Sequence, residues 1–270
     1  DPLFLHFEVV PDHLPEGLKS MVLKFPPGTL QFEIGIQTFN EEVQRLISRR
    51  QNNQQTSENL RWLAEHTHAH LHADLIFGLP GETRESFAEG FDRLYALKPD
   101  EIQLGILKRL RGTPIARHTG PYKMVYDSNP PYTLLQTATL NAETVQRISR
   151  FARYWDLIAN SGRFKQTLPL LLNPPIQSSF NEFLQFSDWL WRTTRKTQGL
   201  TPEALVDIHF NYLTEIKAIA AAEVRNALLN DYLASGARSN PHALQGVLPK
   251  RPPRSKKQVQ LTERQTMHLV

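Results

Sequence analysis

The chain has no cysteine among its 270 residues. That excludes a disulfide framework, a thiol nucleophile, and any zinc or iron–sulfur centre held by its own thiolates. Long hydrophobic runs are missing too, and none approaches the ~20 residues that cross a bilayer. Asp1-Pro2-Leu3-Phe4 carries no charged leader and no cleavage pattern, so a cytoplasmic protein with no membrane partner is expected. There is no initiating Met, and the first residues read as the start of a strand, so a piece of a longer polypeptide is expected. Strong charge is absent from most of the chain. The net +4 comes from the end, where Arg238, Lys250, Arg251, Arg254, Lys256, Lys257 and Arg264 face only Glu263, while residues 1–236 are slightly acidic. A basic, proline-rich tail without interleaved aromatics reads as a disordered terminus over 236–270 and argues against a nucleic-acid partner.

What is present begins with 40% apolar residues, enough for a sizeable core. Strand and helix patterns alternate over the first 115 or so residues. Strands are predicted at Phe4–Val10, Leu30–Gln37, His70–Phe77 and Glu101–Leu107. Asn40 caps a helix with Glu41 and Glu42 in its first turn, a second piece runs from about Ser57 to Glu65, and Thr83 caps a third helix stopped by Pro99. Strands separated by such helices make βαβ units and a parallel sheet. From Pro130 the pattern predicts helices only: about Asn141 to Asn160, one after Ser179, one opened by Thr201-Pro202-Glu203, and an Ala-rich one over Ile216–Leu233. The segment Tyr122–Tyr132 reads as the boundary, giving domains at 1–120, 121–235 and 236–270.

Alternation along the strands carries the chemical information. His6 and Glu8, then Gln31, Glu33, Gly35 and Gln37, then His70, His72 and Asp74, then Gln103 each share one face of their strand. Parallel strands covered on both faces are normally apolar throughout. Four strands with one polar face therefore imply a wet or ligand-filled lumen, as in a barrel or part of one. Glu8, Gln37 and Asp74 lie toward the carboxyl ends of their strands, where barrel ligands bind. His6, Glu33, His72 and Gln103 lie deeper and are expected to satisfy one another. Gly78-Leu79-Pro80-Gly81 is a glycine-rich turn between strand and helix, where backbone N–H groups could approach a ligand.

Two segments, Phe32–Arg49 with its Gly35-Ile36-Gln37-Thr38, and Asp74-Leu75-Ile76-Phe77-Gly78-Leu79-Pro80-Gly81-Glu82-Thr83, resemble the fourth- and fifth-strand segments of radical S-adenosylmethionine enzymes. Their pattern is similar to that of oxygen-independent coproporphyrinogen oxidase. Together with Leu107–Pro114 and Phe151–Phe164, they resemble the C-terminal portion of cobalamin-binding-domain radical SAM proteins that end in an uncharacterised helical domain. The resemblance covers about residues 3–195. It implies an α/β fold, a partial (β/α) barrel of the radical SAM type with its last four strands here, followed by an all-helical domain. It also implies S-adenosylmethionine bound through Glu8, Gln37, Arg49 and Asp74: the acids and Gln37 on the ribose and methionine parts, Arg49 on the methionine carboxylate. A planar guanidinium suits that carboxylate, and acids and amides suit a diol and an ammonium. The implied 4Fe-4S cluster and any cobalamin domain find no ligands in this chain, which alone is expected to be inactive. The implied partners are a substrate of unknown kind and an electron donor for the cluster.

Two other readings use the same residues. His70, His72 and Asp74, with His6, could hold a divalent metal in a hydrolase barrel. Alternatively, Trp155, Trp189 and Trp191 with the Ala-rich helix and the basic tail could serve a non-catalytic binding or scaffold protein, although helix core is the preferred account of the tryptophans.

Overall fold

A computed structural model describes residues 3–172 and 178–249. The chain divides into two compact units that meet inside one helix, between Ala152 and Arg153. That seam lies downstream of the segment expected as the boundary.

The first unit is built on four parallel strands in the order β1 (Leu5–Val9), β2 (Leu30–Gln37), β3 (His70–Phe77) and β4 (Glu101–Ile106). Such neighbours need crossovers, supplied by α1 (Glu16–Val22), by α2 (Glu41–Leu46) with α3 (Asn53–His66), and by α4 (Arg84–Ala96). The expected strand alternation holds in β2 and β3 but not in β1, where Phe7 is exposed, or in β4, where Glu101 and Ile102 are both buried. Phe32, Ile34, Ile36, Leu71, Ala73, Leu75 and Phe77 are buried, while their polar neighbours in β2 and β3 stay partly exposed. Phe87, Phe91 and Leu94 of α4 are buried, and Phe77 meets Phe87 edge-on at 5.0 Å. Each such side chain contributes about 1.5–3 kcal/mol on burial.

Local chemistry sets the element ends. The Asn40 side chain accepts from the amides of Glu42 and Val43, Asn52 caps α3 through Gln55 N, and Thr83 caps α4 through Ser86 N. The Asn52 cap starts α3 four residues before the predicted Ser57. The α4 helix stops at Ala96, and Lys98 takes a left-handed φ of 55° ahead of Pro99. The α1 helix was not predicted, and its N-cap Pro15 offers no side-chain cap. The prediction of helices alone after Pro130 is corrected by a small antiparallel pair, β5 (Val125–Tyr126) with β6 (Leu134–Gln136). Leu134 of β6 is buried with Val43, Leu79, Leu107 and Met124, which holds this short hairpin on the first unit.

The helix α5 (Ala142–Ile158) crosses the seam. The second unit continues with α6 (Thr167–Leu172), α7 (Ser179–Thr194), α8 (Pro202–Asn211) and α9 (Ala221–Ala234). The expected Ile216–Leu233 helix is corrected: a π-turn spans Tyr212–Ile216, Ala218 has a φ of 54°, and α9 starts only at Ala221. Trp155 is core, buried and edge-on to Phe183 at 4.9 Å, whereas Trp189, against Tyr212 at 5.2 Å, and Trp191 are only half-buried. The expected disordered tail is corrected as far as residue 249. A 3-10 turn at His242–Leu244 buries Leu244, Arg225 Nε donates to Ala243 O, and Asp207 accepts from the amides of His242 and Ala243. The rest of that tail, 250–270, lies outside the described residues.

Candidate functional site

An open cleft of about 730 Å3 lies at the carboxyl ends of β1, β2 and β3. It is lined by Glu8, Asp12, Glu33, Gly35, Gln37, Ser48, Arg49, Arg50, Gln51 and Asp74 among others. Glu8, Gln37, Arg49 and Asp74 thus line a single cavity.

Each reaches it by a different local device. In β2, Gly35 pairs with Asp74 of β3, but the next pairing is Gln37 with Leu75, so Ile36 is bulged out of the ladder. Bulges re-aim side chains. Immediately after, Thr38 N donates to Ile36 O at 2.9 Å, closing a three-residue turn around Gln37, whose φ is 68°. A non-glycine residue at the centre of such a γ-turn is strained. Gln37 Oε1 is buried in the wall without a hydrogen bond. Its Nε2 folds back over Gly35, where an added Cβ would lie 2.8 Å from it.

Arg49 is not on the helix, as the resemblance implies, but just beyond it. The α2 helix ends in a Schellman motif: Ser48 N donates to Arg45 O, Arg49 N donates to Gln44 O at 2.8 Å, and Ser48 takes the left-handed position with φ 59°. That reversal delivers Arg49 to the cleft. Its Nε donates to Gln51 Oε1 at 2.8 Å and one Nη2 hydrogen goes to Gly35 O, leaving Nη1 with no acceptor among the described residues. Burial lowers the Arg49 pKa, and Asp12 opposes that shift.

Below the cleft the polar face is largely self-satisfied. His6 pairs with Glu33 at 3.2 Å, and His70 Nε2 with Glu101 at 3.1 Å. His72 has Glu101 Oε2 at 3.2 Å from Nδ1, with Gln103 Oε1 at 3.0 Å and Asp74 Oδ1 at 3.3 Å from Nε2. The Nε2–H points at Gln103, so Asp74 Oδ1 has a cation beside it yet no hydrogen bond of its own. Contact with Asp74 first, and Glu101 second, raises the His72 pKa to about 10, making it an imidazolium at neutral pH. Burial acts to raise the Glu101 pKa, but His70 and His72 outweigh it and hold that carboxyl well below the usual range. Among the described residues no group of three or more His, Asp or Glu is arranged to hold a metal ion. The hydrolase reading from His70, His72 and Asp74 is therefore corrected.

The glycine-rich turn is also corrected, because it is a packing element rather than cleft wall. A Cβ on Gly78 (φ 91°) would lie 2.2 Å from Leu134 Cδ2, and one on Gly81 (φ 79°) 3.1 Å from Leu46 Cδ1. Sequence reasoning passed over Glu82, the acid closing this turn. It is fully buried, and Thr38 Oγ1 donates to its Oε1 at 2.6 Å.

Comparison with known proteins divides the chain earlier than the two compact units do. Residues 9–94 match the model of the radical SAM superfamily, and residues 120–268 match a family described as a protein of unknown function, DUF4080. Oxygen-independent coproporphyrinogen III oxidase of Escherichia coli is 38% identical over 77 residues, which are 28% of this chain and 17% of that protein. The Paracoccus denitrificans enzyme is 30% identical over 97 residues, 36% of this chain and 21% of that protein. The chain thus spans about a fifth of the length of these curated relatives. A solved structure described as coproporphyrinogen III oxidase (HemN) from Escherichia coli, a radical SAM enzyme, shares 31% identity over 38% of this chain and 23% of that one, with a TM-score of 0.33. Among the described residues no helix is long and apolar enough to cross a membrane. With more than half its length matched, the chain belongs to the DUF4080 family, and it carries a radical SAM segment ahead of that region.

Proposed function

We propose that the cleft is the S-adenosylmethionine seat of a radical SAM enzyme, with Glu8, Gln37, Arg49 and Asp74 as its ligand-binding residues. One observation carries the reading: Gln37 Oε1, a buried acceptor without a hydrogen bond, and Asp74 Oδ1, which has only the His72 ion-pair contact at 3.3 Å, belong to cleft-lining residues beside an incompletely used guanidinium. Buried polar atoms are rarely left unpaired unless a ligand or water completes them. The two acceptors suit the hydroxyls of a ribose, and Arg49 Nη1 suits a carboxylate. Overall charge agrees. The lining holds Glu8, Asp12, Glu33 and Asp74 against Arg49 and Arg50, an excess of acid that suits a ligand whose sulfonium and ammonium outweigh its carboxylate.

When bound, the sulfonium supplies an activated carbon–sulfur bond for reductive cleavage. The residues here bind and orient: the Asp74 carboxylate lies 3.3 Å from His72 Nε2, and the γ-turn directs Gln37. A 4Fe-4S cluster does not fit this chain, which has no thiolate to hold one, so no step is derived through it. Radical formation and methyl transfer through cobalamin would share this seat. Substrate and electron donor are not marked by any residue of the cleft.

Isothermal titration of S-adenosylmethionine into the 270-residue chain tests this. Gln37→Ala and Asp74→Ala are each expected to weaken binding about tenfold or more, in line with the loss of a charge-assisted or buried hydrogen bond. Unchanged affinity in both variants, or no binding by the parent chain, would overturn the assignment.

A further inference from the structure

The cleft rests on an unusual hydrogen-bonded chain behind its wall. Gln37 sits in the strained γ-turn, and the residue that closes the turn, Thr38, is held at three points. Its hydroxyl donates to Glu82 Oε1 at 2.6 Å and accepts from Asn40 N at 3.1 Å, and its carbonyl accepts from Gln44 Nε2 at 2.8 Å. Gln44 is fixed in turn by Asn53 Oδ1 at 2.8 Å, and Asn53 Nδ2 donates to Phe39 O at 2.8 Å. Thr38, Glu82, Gln44 and Asn53 are all buried. Glu82 lies 44 residues from Thr38 in sequence, yet it joins the turn after β3 to the turn after β2. Its backbone carbonyl is also tied down, accepting from Thr139 Oγ1 at 2.7 Å.

We infer that Glu82 is a positioning residue for the cleft: through Thr38 it locks the strained turn that aims Gln37 at the ligand. This rests on the reading of the cleft as an S-adenosylmethionine seat. The argument is one of over-determination. A left-handed non-glycine residue costs on the order of 1–3 kcal/mol and persists only where its surroundings enforce it. The fixtures found here are on Thr38, one residue away, and of the three only the Glu82 bond reaches across to another strand's turn. Remove the acceptor, and the buried Thr38 hydroxyl is left without one, so the turn can relax into extended backbone and carry the Gln37 amide out of register. A neutral amide at position 82 would still accept from Thr38, so Glu82→Gln should keep the lock that Glu82→Ala breaks. Burial favours the neutral carboxyl and raises its pKa to about 8, consistent with a group that serves as an acceptor rather than as a charge.

The test has two arms on the full chain. In the first, hydrogen exchange of the Thr38 amide, the donor that closes the γ-turn, is followed by NMR without ligand. Protection should fall at least tenfold in Glu82→Ala and Thr38→Val, and stay within about twofold of the parent in Glu82→Gln. Retained protection in Glu82→Ala would overturn the inference whatever the ligand, as would equal loss in Glu82→Gln. In the second arm, S-adenosylmethionine affinity is measured for Glu82→Ala, Glu82→Gln and Gln37→Ala. Weakening by Gln37→Ala and Glu82→Ala with rescue by Glu82→Gln supports the inference. Weakening by Gln37→Ala alone leaves the seat standing and overturns the role of Glu82. Affinity untouched by Gln37→Ala overturns the aiming role inferred for Glu82; if Asp74→Ala leaves it unchanged as well, the seat itself is defeated, and the exchange arm then decides separately whether Glu82 locks the turn.

Discussion

Buried polar groups serve different ends at Asp231 of the helical unit and at the cleft of the sheet unit. In the helical unit, buried Asp231 is fully used as a structural cap: it accepts from Gln166 N at 2.9 Å, Thr167 N at 2.8 Å and Thr167 Oγ1 at 2.7 Å, and so starts α6. Glu182 is paired with Lys217. His209 is fully buried between Phe164, stacked at 4.3 Å, and Phe186 at 5.0 Å, and burial pushes its pKa down to about 4. In the sheet unit, Gln37 Oε1 and Asp74 Oδ1 are left without hydrogen bonds in the wall of a cleft. Polar groups spent on the fold mark a structural role, and polar groups held unspent at a cavity mark a binding one. His209 Nε2 and Ser187 Oγ also lack partners, but both residues are completely buried, so an unpaired atom points to a ligand only where a cavity reaches it.

The contrast can be broken by mutation. A large effect belongs to Asp231→Ala, which leaves two amides and a hydroxyl unsatisfied and should cost the helical unit about 3 kcal/mol or more. Urea unfolding followed by tryptophan fluorescence reports on it, since Trp155, Trp189 and Trp191 all lie in that unit. Affinity for S-adenosylmethionine should stay at the parent value. Loss of both would show that the division of roles is false.

An effect of similar size but opposite location belongs to Glu82. Its pKa is about 8 in the fold against an ordinary value of 4.5. The stability it contributes is therefore fully present below the unfolded value and is lost as pH rises from there through about 8, a decline on the order of 5 kcal/mol at 1.36 kcal/mol per pH unit. The difference in unfolding free energy between the parent and Glu82→Gln should shift in that direction across the window. A flat difference would place an ionised carboxylate at this site.

The smallest effect sharpens rather than breaks the contrast. Ser48 occupies the left-handed position of the Schellman turn, where glycine carries no Cβ penalty. Ser48→Gly should stabilise the sheet unit by about 0.5–1 kcal/mol. Because the turn that delivers Arg49 is unchanged, ligand affinity should not move. Weaker binding would mean that the Ser48 side chain, which also lines the cleft, takes part in it.

Legibility in the sequence followed local physics. β2 and β3 were predicted to the residue because their alternation is uninterrupted, and the caps Asn40, Thr83 and Thr201 have short polar side chains that declare themselves. The break before α9 was not legible. Alanine-rich sequence favours helix, while the pull that interrupts it is tertiary, from Lys217 to Glu182. Residues 236–249 read as disordered from their prolines and serines, yet buried Leu244 and the bond from Tyr232 Oη to Ser239 O at 2.6 Å hold them. At the cleft, the polar strand faces could be read, but the geometry behind them could not. Glutamine has no left-handed preference to announce the turn at Gln37, and nothing local joins Thr38 to an acid 44 positions away.

The most direct test of the central claim is a crystal structure of the chain grown with S-adenosylmethionine. The account requires the ribose hydroxyls within hydrogen-bonding distance of Asp74 and Gln37, and the methionine carboxylate on Arg49. A nucleoside bound elsewhere on the molecule, with those three side chains untouched, would contradict it.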